Sequence, residues 1–444
     1  MGCVYSYDLV ETLVLITAKL TDFQFESADF DLDSRINRML SSALLEQETC
    51  KAPPSIDQFR RDCLLVFYES HQFLGNQAWI RLGGLVRLAS WKGLDRLDEA
   101  QTDQTRARPW SGAGQDDLED WRLVWWFIYR LDTQVNLSLG TAYLIDEKNV
   151  KTSLLGPDLV PDPVLPGFTN DEYEGPEGTM RSRLYLPCHP NDHWKLVPEI
   201  THGPPTTMIP NLDILLSTAM RQFGRAFRLH MMTEFGVDKP PIRSITDAEV
   251  FLMALEISLP QHVYLDPTPR TSPPESPSDR RGRLVTLLQF HMCQLLTNIM
   301  RCSSSPKYAD EDWHENWRQV GEACQNIASA AGHLGSLSSL AVDPRIAPII
   351  FTALIFVHLH RKCKVLIPGS DLYNTLWDSE AHLVHLLKRL ATARRLPRLL
   401  LGELFRTVHI IIQGANTCKR LVWEIQILVL QNYTPSQTHP VHYP

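Results

Sequence analysis

The chain is 444 residues long, with 43 Lys and Arg against 51 Asp and Glu, a formal net charge of −8 and 44% hydrophobic residues. That apolar content across this length supports a buried core and excludes a chain disordered throughout. The acidic balance excludes nucleic-acid binding driven by bulk charge, since phosphate contacts need a basic face.

At the N-terminus, Met1-Gly2-Cys3-Val4-Tyr5-Ser6 fits an acylation pattern, with Cys3 as a second lipid position. Asp8 and Glu11 follow where an anionic membrane surface would repel them and where a secretory leader needs basic residues. Pro53-Pro54 leads into Ser55-Ile56-Asp57-Gln58, a capping box, and Phe59, Cys63, Phe67 and Leu74 then keep one helical face apolar. Ala78, Leu82, Leu85, Val86 and Ala89 predict the next helix, ended by Gly93. Gly83 and Gly84 inside it cost roughly 1 kcal/mol each relative to Ala, which predicts the close approach of a neighbouring helix. Leu118, Trp121, Trp125, Ile128, Leu131 and Val135 mark a third stripe.

Pro157, Pro161, Pro163, Pro166, Pro176, Pro187, Pro190 and Pro198 make residues 153–211 a long irregular connection. Leu212, Leu215, Ala219, Phe223 and Phe227 predict a helix stopped near Gly236. Thr246-Asp247-Ala248-Glu249 reads as a second capping box, for a helix that ends by Pro260. Residues 266–283, rich in Pro, Ser and Arg, read as a disordered loop, in which Ser272-Pro273 and Ser276-Pro277 are candidate phosphorylation sites beside Arg280, Arg281 and Arg283. Trp313, Trp317, Val320, Cys324, Ile327 and Ala331 restore helical spacing, and apolar helices follow at 346–365, 382–396 and, after Pro397, 398–431. The most apolar run, Ile346 to Leu359, is too short to span a bilayer and reads as a buried helix.

The expected fold is all-α, a multi-helix array. It divides into an N-terminal helical part (1–152), the Pro/Gly-rich connection (153–211), central helices (212–265), the disordered loop (266–283), a C-terminal helical part (284–431) and a tail (432–444).

Chemistry-bearing motifs fall short in specific ways. None of the nine cysteines is spaced C-x-x-C, so the thiolate cluster of a structural zinc site is missing, and an odd count argues against a disulfide framework. His314-Glu315-Asn316-Trp317-Arg318 begins like H-E-x-x-H but places Arg318 where the second histidine would stand. His358 and His360, two apart on a helix, point roughly 200° away from each other. His382 and His385 share a face without a third ligand, and Cys188, His189 and His193 lack a fourth. Gly112-Ala113-Gly114 runs into Asp116 and Asp117, which would repel phosphate. No catalytic, cofactor-binding or metal-ligating residue is assigned, and the chain reads as non-enzymatic. A triad assembled from distant residues leaves no local signature, which keeps an unrecognised biosynthetic enzyme as an alternative.

One stretch, about 73–146, carries more. Phe73-Leu74-Gly75-Asn76-Gln77-Ala78-Trp79 is followed by Gly83-Gly84-Leu85-Val86-Arg87-Leu88-Ala89 and by Lys92-Gly93-Leu94-Asp95-Arg96. After an acidic loop come Glu119-Asp120-Trp121-Arg122-Leu123-Val124-Trp125-Trp126, then Leu131-Asp132 and Leu139-Gly140-Thr141-Ala142. This order resembles the middle homology (regulatory) domain of fungal zinc-cluster transcription factors. The matching positions are Trp79, Arg87, Ala89, Gly93, Leu94, Arg96, Glu119, Arg122, Trp125, Trp126, Asp132 and Gly140. Asp95 and Leu97 depart from the family's His and Asp, Trp121 and Leu123 from two basic residues, and Thr141-Ala142 from Arg-Pro.

The resemblance implies a nuclear transcription regulator of metabolic or secondary-metabolite genes, acting through protein co-regulators, a zinc-cluster factor or a small-molecule effector. It implies that Glu119, Arg122 and Asp132 form salt links that set helix register. Family members bind zinc through an N-terminal six-cysteine module, which is absent here. No cofactor and no direct sequence-specific DNA binding are therefore expected of this chain. A cytoplasmic or lipid-anchored helical scaffold, suggested by Gly2, Cys3 and Ser6, is the other reading.

Overall fold

Helices start where side chains accept the backbone N–H groups that a first turn leaves unpaired. Ser55 and Gln58 form the expected reciprocal box: the Ser55 N–H donates to Gln58 Oε1 at 2.8 Å, and the Gln58 N–H to Ser55 Oγ at 3.3 Å. In a computed structural model, the described residues are 5–21, 23, 30–49, 51, 53–72, 76–99, 115–156, 183–187, 189–203, 205–234, 243–259, 263, 276–304, 311–334, 343, 345–362 and 371–402.

The helices are α1 (Tyr7–Thr21), α2 (Leu32–Thr49), α3 (Ile56–Gln72), α4 (Asn76–Lys92), α5 (Gln115–Leu139) and α6 (Leu196–Thr201). They continue as α7 (Pro205–Glu234), α8 (Arg243–Ser258), α9 (Pro277–Ser304), α10 (Glu311–His333), α11 (Ile346–Lys362) and α12 (Asp371–Ala393). Short 3-10 turns lie at Leu94–Arg96, Glu147–Asn149 and Pro190–Lys195, and no strand occurs among the described residues. The fold is all-α.

The third stripe is buried throughout: Leu118, Trp121, Trp125, Ile128, Leu131 and Val135 all face the core from α5. That face packs on α3 and α4, and α5 also lies on α7. From α7 the packing passes to α9, α10, α11 and α12, and one continuous apolar core runs from Phe59 to Leu400. A second, smaller core, around Leu15, Ile16, Ile36, Ala43, Leu65 and Tyr68, joins α1 and α2 to the back of α3. The close approach expected at the glycine pair is made by a side chain of α2. A Cβ on Gly84 would lie 2.5 Å from Gln47 Oε1.

Several boundaries differ from the sequence expectation, each for a local reason. Residues 276–283 belong to α9 rather than to a loop. Ser276 Oγ accepts the Asp279 N–H at 3.1 Å and donates to Asp279 Oδ2 at 2.7 Å, and Pro277 fits the first helical position, so a cap overrides the loop-like composition. Helix α7 begins at Pro205 and contains Pro210, and residues 190–201 are helical, so the irregular connection is shorter than 153–211. Its middle, 157–182, lies outside the described residues, as do Ser272 and 403–444, with most of the proposed last helix and the tail.

Thr246 lies inside α8, which starts at Arg243, and Glu249 is taken by Arg301 Nε at 2.5 Å instead of a cap. Helix α12 starts at Asp371, before His382, and a helical stretch resumes at 395, ahead of Pro397.

Trp125, with 1% of its surface exposed, lies on α5 in the main apolar core. Trp125→Ala is expected to lower unfolding free energy by about 3–5 kcal/mol, measured by urea titration; an unchanged midpoint would place Trp125 outside the core.

Candidate functional site

Several of the residues that carry the resemblance lie on α5 or against it. Arg122 is fully buried and its Nη2 donates to Asp98 Oδ1 at 2.6 Å, while its Nη1 donates to Glu119 Oε2 at 2.8 Å. The other Asp98 oxygen accepts the Ser153 N–H at 2.7 Å, and Arg183 adds a second cation at 3.1 Å. Asp98 stands one residue beyond Leu97, where the family turn has its aspartate.

The extended segment 150–156 is thereby laid along the turn after α4. Thr152 Oγ1 donates to the Leu94 carbonyl at 2.5 Å, and Trp126 Nε1 donates to the Ser153 carbonyl at 2.8 Å. Leu94 at the turn's centre is fully buried, and Gly93 takes the left-handed φ of 82° that starts it.

A second buried carboxylate closes the other end of α5. Asp132, 0% exposed, accepts Arg221 Nη1 at 2.9 Å, the N–H groups of Leu144 and Ile145, and Asn136 Nδ2 at 2.6 Å. Burial pushes its carboxyl above the ordinary range, against Arg221 and the two backbone donors, which favour the ionised form. Arg221 also donates to the Ile145 carbonyl at 2.5 Å. Its Nε lies 2.8 Å from Glu147 Oε1, an ion pair without hydrogen-bond alignment. Tyr129 and Tyr143 each place a ring 4.5 Å from the Arg221 guanidinium. Gly140 ends α5 with a left-handed φ of 64°, and Trp79 Nε1 donates to Asn136 Oδ1 at 3.0 Å.

Not every signature position is part of this frame. Arg87 is exposed, Trp79 is 37% exposed, and Arg96 is half-exposed beside Asp95 at 3.6 Å.

Behind the frame, α5, α7, α9 and α11 line a partly open cavity of about 120 Å³. Its walls are mostly apolar and rich in methionine, with Met220, Met292 and Met300. At its border Asp213 accepts Arg130 Nη1 at 2.5 Å and Arg345 Nη1 at 3.2 Å, and Asp343 takes the Arg345 fork at 2.9 and 2.7 Å. Burial works against both carboxylates. The neighbouring arginines more than offset it and hold them below the usual range, Asp343 at about 2. Arg228 lines this cavity and also a polar groove beside Lys148, His193 and Arg225.

Among the described residues, the histidines and cysteines singled out in the sequence are not brought together. His358 faces Glu380 at 3.1 Å, whereas His360 stacks on Trp317 with both ring nitrogens on carbonyl oxygens of Phe356 and Trp317. His193 meets Gln222 at 3.2 Å, and Cys188 lies outside the described residues with Cys3, Cys50, Cys363 and Cys418. Cys63, Cys293, Cys302 and Cys324 are buried and separate, and burial raises each thiol above its usual range, Cys302 to about 12. No group of three metal-ligating residues forms among the described residues.

Sequence reasoning did not find Asp98, Asp213, Arg221, Gln289 or Arg345. Only Asp98 left a signal, one place from the expected aspartate. No family model, curated protein or solved structure matches the chain.

Arg221→Met would leave Asp132 buried without its cation, and is expected to cost about 3–5 kcal/mol in urea titration. The Asp132→Asn/Arg221→Met double variant should recover much of that loss; a double variant as unstable as the sum of its parts would disprove the coupling.

Burial also pushes His71, His193, His291 and His360 below the ordinary 6.5, His71 to about 3, and neither His71 ring nitrogen has a hydrogen-bond partner. The unfolded chain then binds protons that the native one refuses. Stability is full above about pH 6.5 and falls as pH drops from there toward 3. A urea midpoint that stays flat over this window, or a slope unchanged in His71→Leu, would contradict the assignment.

Proposed function

We propose that this chain is a transcription-regulatory domain of the fungal zinc-cluster type, acting without catalysis on metabolic or secondary-metabolite genes. In this reading it works in the nucleus by binding protein co-regulators or a zinc-cluster factor, and takes a small effector in the cavity among α5, α7, α9 and α11. One observation carries it: five of the positions that give the stretch its likeness to that family, Leu94, Arg122, Trp125, Trp126 and Asp132, lie together in one buried frame around α5, while Trp79, Arg87 and Arg96 reach the surface. The cavity borders the same helix, so an occupant would bear on the packing of α5 against α7.

DNA reading belongs to a partner in this account. Among the described residues no helix is long and apolar enough to cross a membrane, and the reading calls for none. The test is a fusion of the full chain to a heterologous DNA-binding domain in a fungal reporter strain. A several-fold change in reporter output, lost in Arg221→Met, is expected. A folded, nuclear fusion that leaves the reporter unchanged would refute the role. Membrane fractionation that depends on Gly2 would instead support the scaffold. The purified chain alone should show no sequence-selective binding to duplex DNA in a mobility-shift assay at physiological salt.

A further inference from the structure

Acids and bases are unevenly satisfied along the segment that follows α5. Asp146 is engaged in its own turn: Oδ1 accepts the Lys148 N–H at 3.2 Å and Oδ2 accepts Asn149 Nδ2 at 3.3 Å. Glu147 is engaged with the core. Its Oε1 accepts the Tyr129 hydroxyl at 3.0 Å beside Arg221, and its Oε2 accepts Arg225 Nη1 at 2.8 Å.

The cations around them are not engaged to the same degree. The Lys148 side chain is exposed, and its ammonium makes no ion pair among the described residues. Arg225 gives one N–H to Glu147, and Arg228 gives one to the Thr141 carbonyl. Both side chains are half-buried, and each guanidinium has further N–H groups to give.

All three line one partly open groove of about 520 Å³, bordered by the segment 142–148, Pro187, His193 and α7. Leu144, 39% exposed, and Pro187 add apolar surface to it. His193 contributes no charge, since burial lowers its proton affinity and its Nδ1 meets Gln222 Nε2 at 3.2 Å. Arg221, behind the groove, is balanced by Asp132. Lys148, Arg225 and Arg228 set against Asp146 and Glu147 leave one positive charge unanswered.

We propose that this groove binds an organic monocarboxylate, its carboxylate taken by Lys148, Arg225 and Arg228 and its apolar body lying against Leu144 and Pro187. The volume falls within the roughly 300–1,000 Å³ of sites that take small organic molecules. Guanidinium N–H groups match the two oxygens of a carboxylate, and such charge-assisted bonds are the stronger kind. A doubly charged phosphate ester is disfavoured, because Asp146 and Glu147 border the groove and would repel the second charge. The groove shares Arg228 alone with the cavity behind the frame and does not depend on the regulatory reading.

The test is calorimetric titration of the full chain near neutral pH with 2-naphthoate, its neutral isostere 2-naphthamide, and 2-naphthyl phosphate. Naphthoate should bind about tenfold more tightly than the amide, the gain of one charge-assisted hydrogen bond, and added salt should shrink that preference. Lys148→Gln and Arg228→Gln should each weaken naphthoate several-fold and leave naphthamide unchanged, and Lys148→Glu should abolish the preference. Lys148 is exposed and unpaired, so both of its variants should melt at the wild-type temperature and report the groove rather than the fold.

Equal affinity for naphthoate and naphthamide, or no heat from either, would overturn the carboxylate site. Naphthoate binding unchanged in Lys148→Glu would place the ligand elsewhere and overturn the groove. Tighter binding by naphthyl phosphate would overturn the monocarboxylate assignment. The reporter fusion is read with no probe present, so a failed regulatory role and a failed groove assignment are separate results.

Discussion

Two aspartates taken out of water hold this structure in register. Asp98 meets α5 from the turn after α4 and Asp132 lies on α5 itself, and each carboxylate has given up hydration that only a correctly placed arginine and backbone N–H groups can replace. Arg122 faces backward to the turn after α4, and Arg221 reaches across from α7. Because each oxygen needs its own donors, α5 cannot slide by a turn against α7, or rotate, without stranding a charge. Apolar packing alone would tolerate such shifts more readily, since dispersion contacts carry little direction.

That constraint sets the geometry of the cavity. Asp132 and Arg221 fix α5 against α7, and Asp213 adds a second tie by gathering Arg130 from α5 and Arg345 just before α11. The cavity lies among helices that are clamped by charge at their borders and lined by flexible methionines within. A rigid border with a pliant lining is a favourable arrangement for a binding site, because the ordering has been completed before a ligand arrives.

Much of the helical layout was legible in the sequence. Every position of the apolar stripes on α5 and α10 is buried, because helices buried on one face must repeat their apolar positions every three or four residues. Composition misled at 276–283, where Pro, Ser and Arg suggested a loop but a single capping serine starts α9. The Thr246 box failed for the opposite reason: Glu249 found a stronger tertiary partner in Arg301, and α8 begins upstream.

The site was far less legible, and the reason is geometric. Arg221 is separated from Asp132 by 89 residues and Arg345 from Asp213 by 132, so no local spacing records either pairing. Gln289 is harder still. On α9 it stands in the row Leu287-Leu288-Gln289-Phe290, where one amide amid apolar residues looks the same whether its oxygen meets a partner or a void. Around it the hydroxyls of Thr133, Ser217 and Thr352 turn back onto their own helices, while Gln134 and Ser138 also line the pocket.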